Sequence, residues 1–333
     1  MFIVNSYILA IVFCFITMLC WGSWGNTQKM AGKTWRYEFF YWDYVIGVLI
    51  MSVLFAFTLG SMGENGRSFL PDLAQAEWRN IGSAFLGGVI FNAANILLSA
   101  AIAIAGMSVA FPVGIGLALV LGVIINYMGA QKGDPVMLFI GVGLITVAII
   151  INAVAYKKAA SASQKVTSKG IIVSIIAGLL MSFFYRFVAA SMDLNDFVNP
   201  AAGKMTPYTA MVIFAFGVFV SNFLFNSILM KKPISGEPTN YKGYLQGKFS
   251  IHWVGILGGA IWAIGNSLNL IAAGKAGPAI SYGLGQGATL VAALWGVFIW
   301  KEFKGAPKGT NAMLFVMFIF FLAGIISIIY AGQ

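Results

Sequence analysis

The chain has 333 residues, of which 60% are hydrophobic and only 9% are charged. Because soluble domains carry roughly 25% charged residues, this composition excludes a water-soluble globular protein. The formal net charge of +10 does not predict a nucleic-acid partner, since the basic residues lie in short loops between apolar runs and form no continuous stripe.

Ten apolar runs recur down the chain, each close to the roughly 20 residues that a helix needs to cross a bilayer. The first run is not interpreted as a signal peptide, because no basic residue precedes it and no small-residue cleavage pattern follows it. The sequence therefore predicts an all-α, multi-pass protein of the plasma membrane, which in a bacterium is the inner membrane. The predicted spans 1 to 10 cover 5–25, 38–60, 80–104, 107–128, 136–156, 170–191, 207–230, 253–274, 278–300 and 310–331.

Basic residues are distributed unequally between the two sides of this layout. An excess of Lys and Arg marks the cytoplasmic side of a membrane protein, so both termini are predicted to be external. The richer side carries Lys29, Lys33, Arg36, Lys157, Lys158, Lys165, Lys169, Lys231, Lys232, Lys242, Lys248, Lys301, Lys304 and Lys308. The poorer side carries Arg67, Arg79, Lys132, Lys204 and Lys275.

An internal repeat relates the two halves of the chain. Since each half holds an odd number of spans, the second half must insert upside down, and inverted repeats are typical of secondary transporters. We predict two inverted five-helix halves, 1–156 and 170–333, joined by a cytoplasmic linker at 157–169. One offset superposes 86–88 on 257–259, Asn95 on Asn266, Gly106 on Gly277, and Gly114 and Gly116 on Gly285 and Gly287.

Polar side chains recur on single stripes of spans 3, 8 and 9, and span 1 aligns two tryptophans in the same way. Such residues face the bundle interior or a cavity, because an unpartnered polar group in hydrocarbon is costly. Aromatic rings beside carboxamides suit a small, neutral, ring-shaped solute, although hydrogen bonding between helices is an alternative role for the asparagines. The candidate substrate-binding residues are Trp21, Trp24, Asn92, Asn95, Arg186, Trp262, Asn266, Asn269, Tyr282 and Gln286.

Spans 5 and 10 are nearly free of polar groups. They are therefore expected at the periphery, facing lipid or a second copy of the chain in a homodimer. Glycines crowd spans 3, 4, 8 and 9, and the four-residue spacing of Gly255 and Gly259 favours close helix approach.

Two ionisable residues lie within the predicted spans. Asp43 is the candidate for coupling to a co-transported proton, and pairing with Lys33 or Arg36 is its structural alternative. Arg186 cannot release its proton and needs an anion or several oxygens around it. A substrate carboxylate, an internal network or snorkelling toward the outer face would each serve. His252 is interpreted as an interfacial residue at the cytoplasmic end of span 8.

No enzyme, metal site or cofactor is predicted. One histidine, one aspartate within a span and two separated cysteines, Cys14 and Cys20, supply neither a nucleophile with its base nor a metal cluster. The chain has no G-x-x-x-x-G-K-[ST] sequence, so ATP is not expected to drive it.

Along nearly its whole length the chain resembles the ureide permeases, a branch of the drug/metabolite transporter superfamily with bacterial glucose and rhamnose uptake proteins as kin. The resemblance implies ten helices, termini on one side, a central cavity lined by spans 1 to 4 and 6 to 9, and proton-linked or exchange transport. It is carried by GSWG at 22–25, YWDY at 41–44, FTLGSMG at 57–63, GMSV at 106–109, INYM at 125–128, LND at 194–196, His252 leading into GGAIWAIGNSLN, and Gln286 followed by LWGVFIWKEF.

The resemblance also implies a substrate class. Plant ureide permeases carry allantoin, uracil and similar neutral heterocycles, but here Arg186 stands where a small residue or proline is expected. We therefore predict a secondary active importer of a small polar metabolite, either a heterocycle or a sugar, coupled to protons and working by alternating access. The alternatives are a sugar or sugar-acid symporter in which Arg186 contacts the substrate and, more remotely, a drug-efflux carrier or a channel.

Overall fold

The computed structural model describes residues 1–32, 35–105, 110–159 and 168–333. Within these ranges it contains ten helices long and apolar enough to cross a membrane, which confirms the predicted all-α architecture with ten spans. The helices are α1 Tyr7–Ala31, α2 Tyr37–Phe57, α3 Trp78–Ala105, α4 Phe111–Gly129, α5 Pro135–Ala159, α6 Ser168–Ala190, α7 Pro207–Lys231, α8 Phe249–Ala276, α9 Pro278–Ile299 and α10 Thr310–Tyr330. Lys33, Lys165, Gly106, the GMSV motif and most of the predicted linker lie outside the described residues.

The helix ends follow local sequence signals. The Ser6 side chain accepts a hydrogen bond from the backbone N–H of Leu9 and so caps α1. α8 and α9 are joined by Gly277 alone, whose φ of 85° lies in the left-handed region that glycine adopts readily. Pro278 then opens α9, at the position where its missing N–H costs nothing.

Two helices depart from regular α geometry near one end of the bundle. α4 opens with a π-helical segment at Phe111–Ile115, which includes Pro112. α9 is interrupted after Gln286 and closes with a second π-helical segment at Trp295–Ile299. Single π-helical turns are frequent at functional sites, and both segments border the cavities described below.

The packing of the helices relates the two halves. α1 packs on α8 and α9, α2 on α7 and α8, α3 on α6 and α7, α4 on α6 and α9, and α5 on α10. When each helix is exchanged for the one five places along the chain, this set of pairs maps onto itself. The inverted repeat and the division at 157–169 stay predictions, and this pairing is what two equivalent halves would produce.

Glycines set the closest approaches between these helices. A Cβ on Gly259 of α8 would collide with the carbonyl oxygen of Tyr44 on α2, and one on Gly88 of α3 would collide with that of Phe214 on α7. Gly88 and Gly259 are equivalent under the sequence repeat. α2 thus approaches α8 as α7 approaches α3, through a glycine that leaves no room for a methyl group.

α5 and α10 pack on each other at the periphery. A Cβ on Gly141 would lie 2.7 Å from the carbonyl oxygen of Gly324, and a Cβ on Gly324 would lie 2.8 Å from that of Gly141. Their outward faces expose large apolar side chains such as Ile140, Ile150 and Leu322. These faces suit lipid, and their role in a homodimer stays a prediction.

Both termini lie at the same end of the bundle. The Tyr7 hydroxyl near the N-terminus donates to the carbonyl of Ile329 near the C-terminus at 2.6 Å. We call this the terminal end, and we call the opposite end, where α1 ends and α2 begins, the basic end. The external location of the termini stays a prediction.

Candidate functional site

A central cavity lies between the halves, lined by side chains of α1, α3, α4, α6, α8 and α9. It contains about 380 Å³ of space free of atoms, part of it open to solvent. Five of the ten predicted substrate-binding residues line it: Trp21, Trp24, Asn95, Trp262 and Gln286. The sequence pattern did not indicate the aromatic lining residues Phe91, Phe111 and Phe184, because phenylalanines are common on every apolar face of a membrane helix.

The tryptophans form an aromatic wall. The rings of Trp21 and Trp262 are nearly parallel, with an interplanar angle of 8° and centroids 6.0 Å apart. Phe91 packs on Trp262 at 4.2 Å between ring centroids, and Trp24 packs on Tyr44 at 5.0 Å. Because these rings come from α1, α2, α3 and α8, the wall is held by both halves.

Two hydrogen-bond donors at the cavity lack a partner among the described residues. They are the indole N–H of Trp21 and the amide nitrogen of Asn95, both fully buried atoms. An unsatisfied buried donor costs roughly 1 to 3 kcal/mol, so such groups in a native structure call for an acceptor. A carbonyl or hydroxyl oxygen of a bound solute would supply one.

Three predicted carboxamides lie outside the cavity lining and join helices instead. Asn92 donates to the Ser221 hydroxyl on α7 at 2.9 Å. Asn269 donates to the carbonyl of Ser281 on α9 at 2.8 Å, and Asn266 approaches the sulfur of Met211 at 3.0 Å. These contacts favour interhelical hydrogen bonding, the alternative role expected for the asparagines.

Tyr282 lies behind the cavity wall. Its ring packs edge-on against Trp21 at 6.4 Å between centroids, and its hydroxyl donates to the carbonyl of Met181 at 3.3 Å. Tyr282 therefore supports a lining tryptophan rather than lining the cavity itself.

Arg186 lies at the terminal end, apart from the central cavity. It is half-buried, and its side chain packs directly over Gly129, where α4 ends. Among the described residues it makes no side-chain hydrogen bond or ion pair. This position matches the snorkelling alternative, and substrate contact by Arg186 stays a prediction.

Asp43 is 1% exposed and accepts hydrogen bonds from three side chains. The Trp35 indole donates to Oδ2 at 3.1 Å, the Tyr244 hydroxyl donates to Oδ1 at 2.6 Å, and His252 Nδ1 lies 2.8 Å from Oδ1. Burial and the neighbouring Asp43 carboxylate raise the pKa of Tyr244, so its hydroxyl remains a donor. We call these four residues the Asp43 cluster.

The Asp43 cluster corrects two expectations. Arg36 does not pair with Asp43, because it forms a 2.8 Å ion pair with Glu38, a fully buried residue of the first turn of α2. His252 is not merely interfacial, because its side chain is 16% exposed and pairs with Asp43. The expected alternative partner Lys33 lies outside the described residues.

A second cavity lies at the basic end, between α1, α4, α5 and α9. Its polar lining includes Asn26, Asn152 and Glu302, and the side-chain oxygen of Asn152 is buried without a partner among the described residues. Phe111 lines both this cavity and the central one. Phe111 therefore borders both cavities.

Metal-ligating side chains do not cluster in the part of the chain that the structure describes: no group of three or more His, Cys, Asp or Glu could hold an ion there. Cys14 and Cys20 are free thiols. The described residues therefore offer the chemistry of solute binding and that of the Asp43 cluster.

Comparison with known proteins identifies the family. The family model described as Ureide permease matches residues 40–169 and 153–331. Ureide permease 2 from Arabidopsis thaliana is 24% identical over 389 residues, covering 98% of this chain and 97% of the relative. A Streptococcus pyogenes serotype M6 protein named for sugar uptake is 24% identical over 329 residues, covering 95% and 96% of the two chains.

A solved crystal structure shares the fold, with a TM-score of 0.58, 14% identity and coverage of 96% of this chain and 95% of the other. Together with the ten apolar helices, the family match makes this a multi-pass membrane transporter and not an enzyme. The chain belongs to the ureide permease family.

Proposed function

We propose that this protein is a secondary active importer of a small, neutral, ureide-like or nucleobase-like heterocycle. The observation that carries the proposal is the pair of unpartnered buried donors, Trp21 Nε1 and Asn95 Nδ2, beside an aromatic wall. Such a heterocycle offers flat faces to the tryptophans and ring carbonyl oxygens to the donors. The Arabidopsis relatives named as ureide permeases support this substrate class.

A sugar is the second candidate. The streptococcal relative named for sugar uptake favours it, and a sugar can also stack on tryptophan and accept hydrogen bonds. A sugar acid fits less well, because Arg186 packs over Gly129 at the terminal end and not in the cavity lining. A carrier of lipophilic cations is disfavoured, since the described lining of the central cavity includes no acidic side chain.

Alternating access is the proposed mechanism, with the basic end in the cytoplasm. Side chains join the halves at both ends of the central cavity. At the terminal end, Arg67 binds Asp72 and the carbonyls of Pro200 and Lys204. At the basic end, the Asp43 cluster joins α2 to α8. Rocking of the halves would break one set of contacts while the other persists, which opens the cavity to one side at a time.

A proton is the proposed coupling ion, and the Asp43 cluster is its proposed site. A buried ionisable pair can change its charge when a proton binds or leaves. Ionisable side chains inside a membrane protein are costly in free energy and commonly mark functional sites. The cluster lies next to the cavity wall, because the ring of Tyr44 packs on Trp24.

Ligand-induced thermal stabilisation tests the substrate class. The purified protein would be heated with ureides, nucleobases, neutral sugars and sugar acids, since a ligand that binds only the folded state raises its stability by mass action. We expect neutral heterocycles to stabilise the wild type and Arg186→Ala equally, and to lose this effect on Asn95→Ala. Stabilisation by sugar acids alone, abolished in Arg186→Ala, would instead establish the sugar-acid alternative.

A further inference from the structure

The hydrogen bonds of the Asp43 cluster fit an ionised carboxylate. Oδ1 accepts from the Tyr244 hydroxyl and lies 2.8 Å from His252 Nδ1, and Oδ2 accepts from the Trp35 indole. When Asp43 is ionised, His252 Nδ1 must carry the hydrogen of their shared bond, because an ionised carboxylate has none to give.

The remaining nitrogen of His252, Nε2, makes no side-chain hydrogen bond within the part of the chain that the structure describes. Nε2 lies beside Gly247 in the loop before α8, close enough that a Cβ on Gly247 would lie 2.6 Å from it. The side chain is 16% exposed, whereas that of Asp43 is 1% exposed. Water at the basic end therefore reaches His252 more readily than it reaches Asp43.

We infer that His252, held by Asp43, is the residue that takes up and releases the coupled proton. This inference rests on the proposed function and assigns its proton to a specific atom. In the uptake step, while the terminal end is open, a proton from that side adds to the Nε2 lone pair, and neutral imidazole becomes imidazolium while Nδ1–H stays bonded to Asp43. In the release step, while the basic end is open, the same proton passes to water on that side.

The charge of His252 controls how firmly α2 and α8 are joined at the basic end. The bond from Nδ1–H to the Asp43 carboxylate is charge-assisted even when the imidazole is neutral, and the imidazolium form adds the attraction between opposite charges. Gly255 lies against Asp43 itself and Gly259 lies against the Tyr44 carbonyl, so α2 and α8 are closely packed there. Protonation holds this contact closed, and release of the proton lets it open.

Few other groups compete for this role. Among the described residues, the titratable groups that face His252 are Asp43 of α2 and Tyr244 of the short helix Tyr241–Leu245. The rings of Trp35 and Tyr244 pack edge-on against the imidazole, with centroids 4.9 Å and 4.8 Å away. Arg36 and Glu38 satisfy each other, and Lys248, one turn earlier on the chain, is exposed.

The first test does not depend on any substrate. His252 is the only histidine in the chain, so protein purified through a histidine-free tag and labelled with ¹⁵N-histidine gives a single imidazole spin system. We expect the Nδ1 signal to change its ¹⁵N chemical shift in Asp43→Asn, since the bond to a carboxylate is lost. Trp35→Phe is the matched control, because it removes a bond to Asp43 without removing a charge. An unchanged Nδ1 shift in Asp43→Asn would overturn the pairing.

The second test measures coupling in proteoliposomes with radiolabelled uracil. We expect His252→Gln to retain counterflow but to lose accumulation driven by an imposed pH gradient, at least tenfold relative to wild type. Full gradient-driven accumulation by His252→Gln would overturn the assignment to His252. Absence of both counterflow and accumulation in wild type would count against uracil as the substrate and against the proposed function, while the ¹⁵N spectra still test the pairing of His252 with Asp43.

Discussion

The indole N–H of Trp300 donates to the side-chain oxygen of Asn26 at 2.6 Å and so joins the residue that follows α9 to α1 at the basic end. Beside it, Lys29 and Glu302 form an ion pair at 2.6 Å. Since these two side chains are 39% and 32% exposed, the ion pair contributes little. The part-buried hydrogen bond of Trp300 is therefore the stronger contact between the halves at this point.

Trp300→Phe keeps an aromatic ring beside Lys29 and deletes the donor to Asn26. We expect faster hydrogen exchange in the last turn of α9, with a loss of about 1 kcal/mol in the free energy of unfolding. Trp253→Phe is the control, because Trp253 on α8 is 54% exposed. Equal exchange in both variants, measured by mass spectrometry, would contradict a role for this bond in closure.

Asn92 and Asn95 lie three positions apart on α3, yet they have different surroundings. We expect Asn95→Ala to abolish ligand-induced stabilisation with little change in the melting temperature of the free protein, since its amide nitrogen has no hydrogen-bond partner among the described residues. Asn92→Ala should lower the free energy of unfolding by about 1 kcal/mol, because Ser221 loses its donor. It should leave ligand stabilisation intact. If a thermal-shift assay showed the reverse, with ligand stabilisation lost in Asn92→Ala and kept in Asn95→Ala, Asn92 would be the substrate-binding residue.

Hydropathy predicts the number and order of the helices because each apolar run must satisfy its backbone groups internally in lipid. It predicts their ends less well. Span 1 was expected to end at 25, but α1 continues to Ala31, since the hydrogen-bond ladder extends past the apolar run and Asn26 and Lys29 find partners near α9. A hydropathy pattern does not predict such long-range contacts.

The candidate site was partly predictable for a similar reason. A polar stripe indicates which face of a helix is turned inward, but α3 meets α6, α7 and the cavity along that face. Asn92 and Asn95 therefore share a stripe and reach different neighbours. His252 lies far along the chain from Asp43, and local spacing carries no signal of that pairing. The sequence signal that could have indicated this pairing is the presence of the single histidine and an aspartate within predicted spans at the same end of the bundle.

Gly88→Ala tests the close approach of α3 and α7. The added methyl group would collide with the Phe214 carbonyl, which cannot rotate away as a side chain could. We expect a loss of roughly 1 to 3 kcal/mol in the free energy of unfolding, the range typical of overpacked cores. Gly82→Ala on the same helix meets no atom within 4 Å, so it should be neutral or should gain up to about 1 kcal/mol. Equal melting temperatures for the two variants would refute the tight contact.

Phe111 borders both the central cavity and the cavity at the basic end, on the π-helical segment that opens α4. If its ring separates the two spaces, Phe111→Ala joins them and gives the solute a path to the basic end that does not require rocking of the halves. We expect faster counterflow and several-fold weaker gradient-driven accumulation. Because truncating a buried phenylalanine costs roughly 3 to 5 kcal/mol, Phe111→Leu provides a milder variant with the same direction of effect. Phe298→Ala, at a side chain 63% exposed, is the control and should transport as the wild type does. Unchanged accumulation in both folded Phe111 variants would mean that the ring does not separate the cavities.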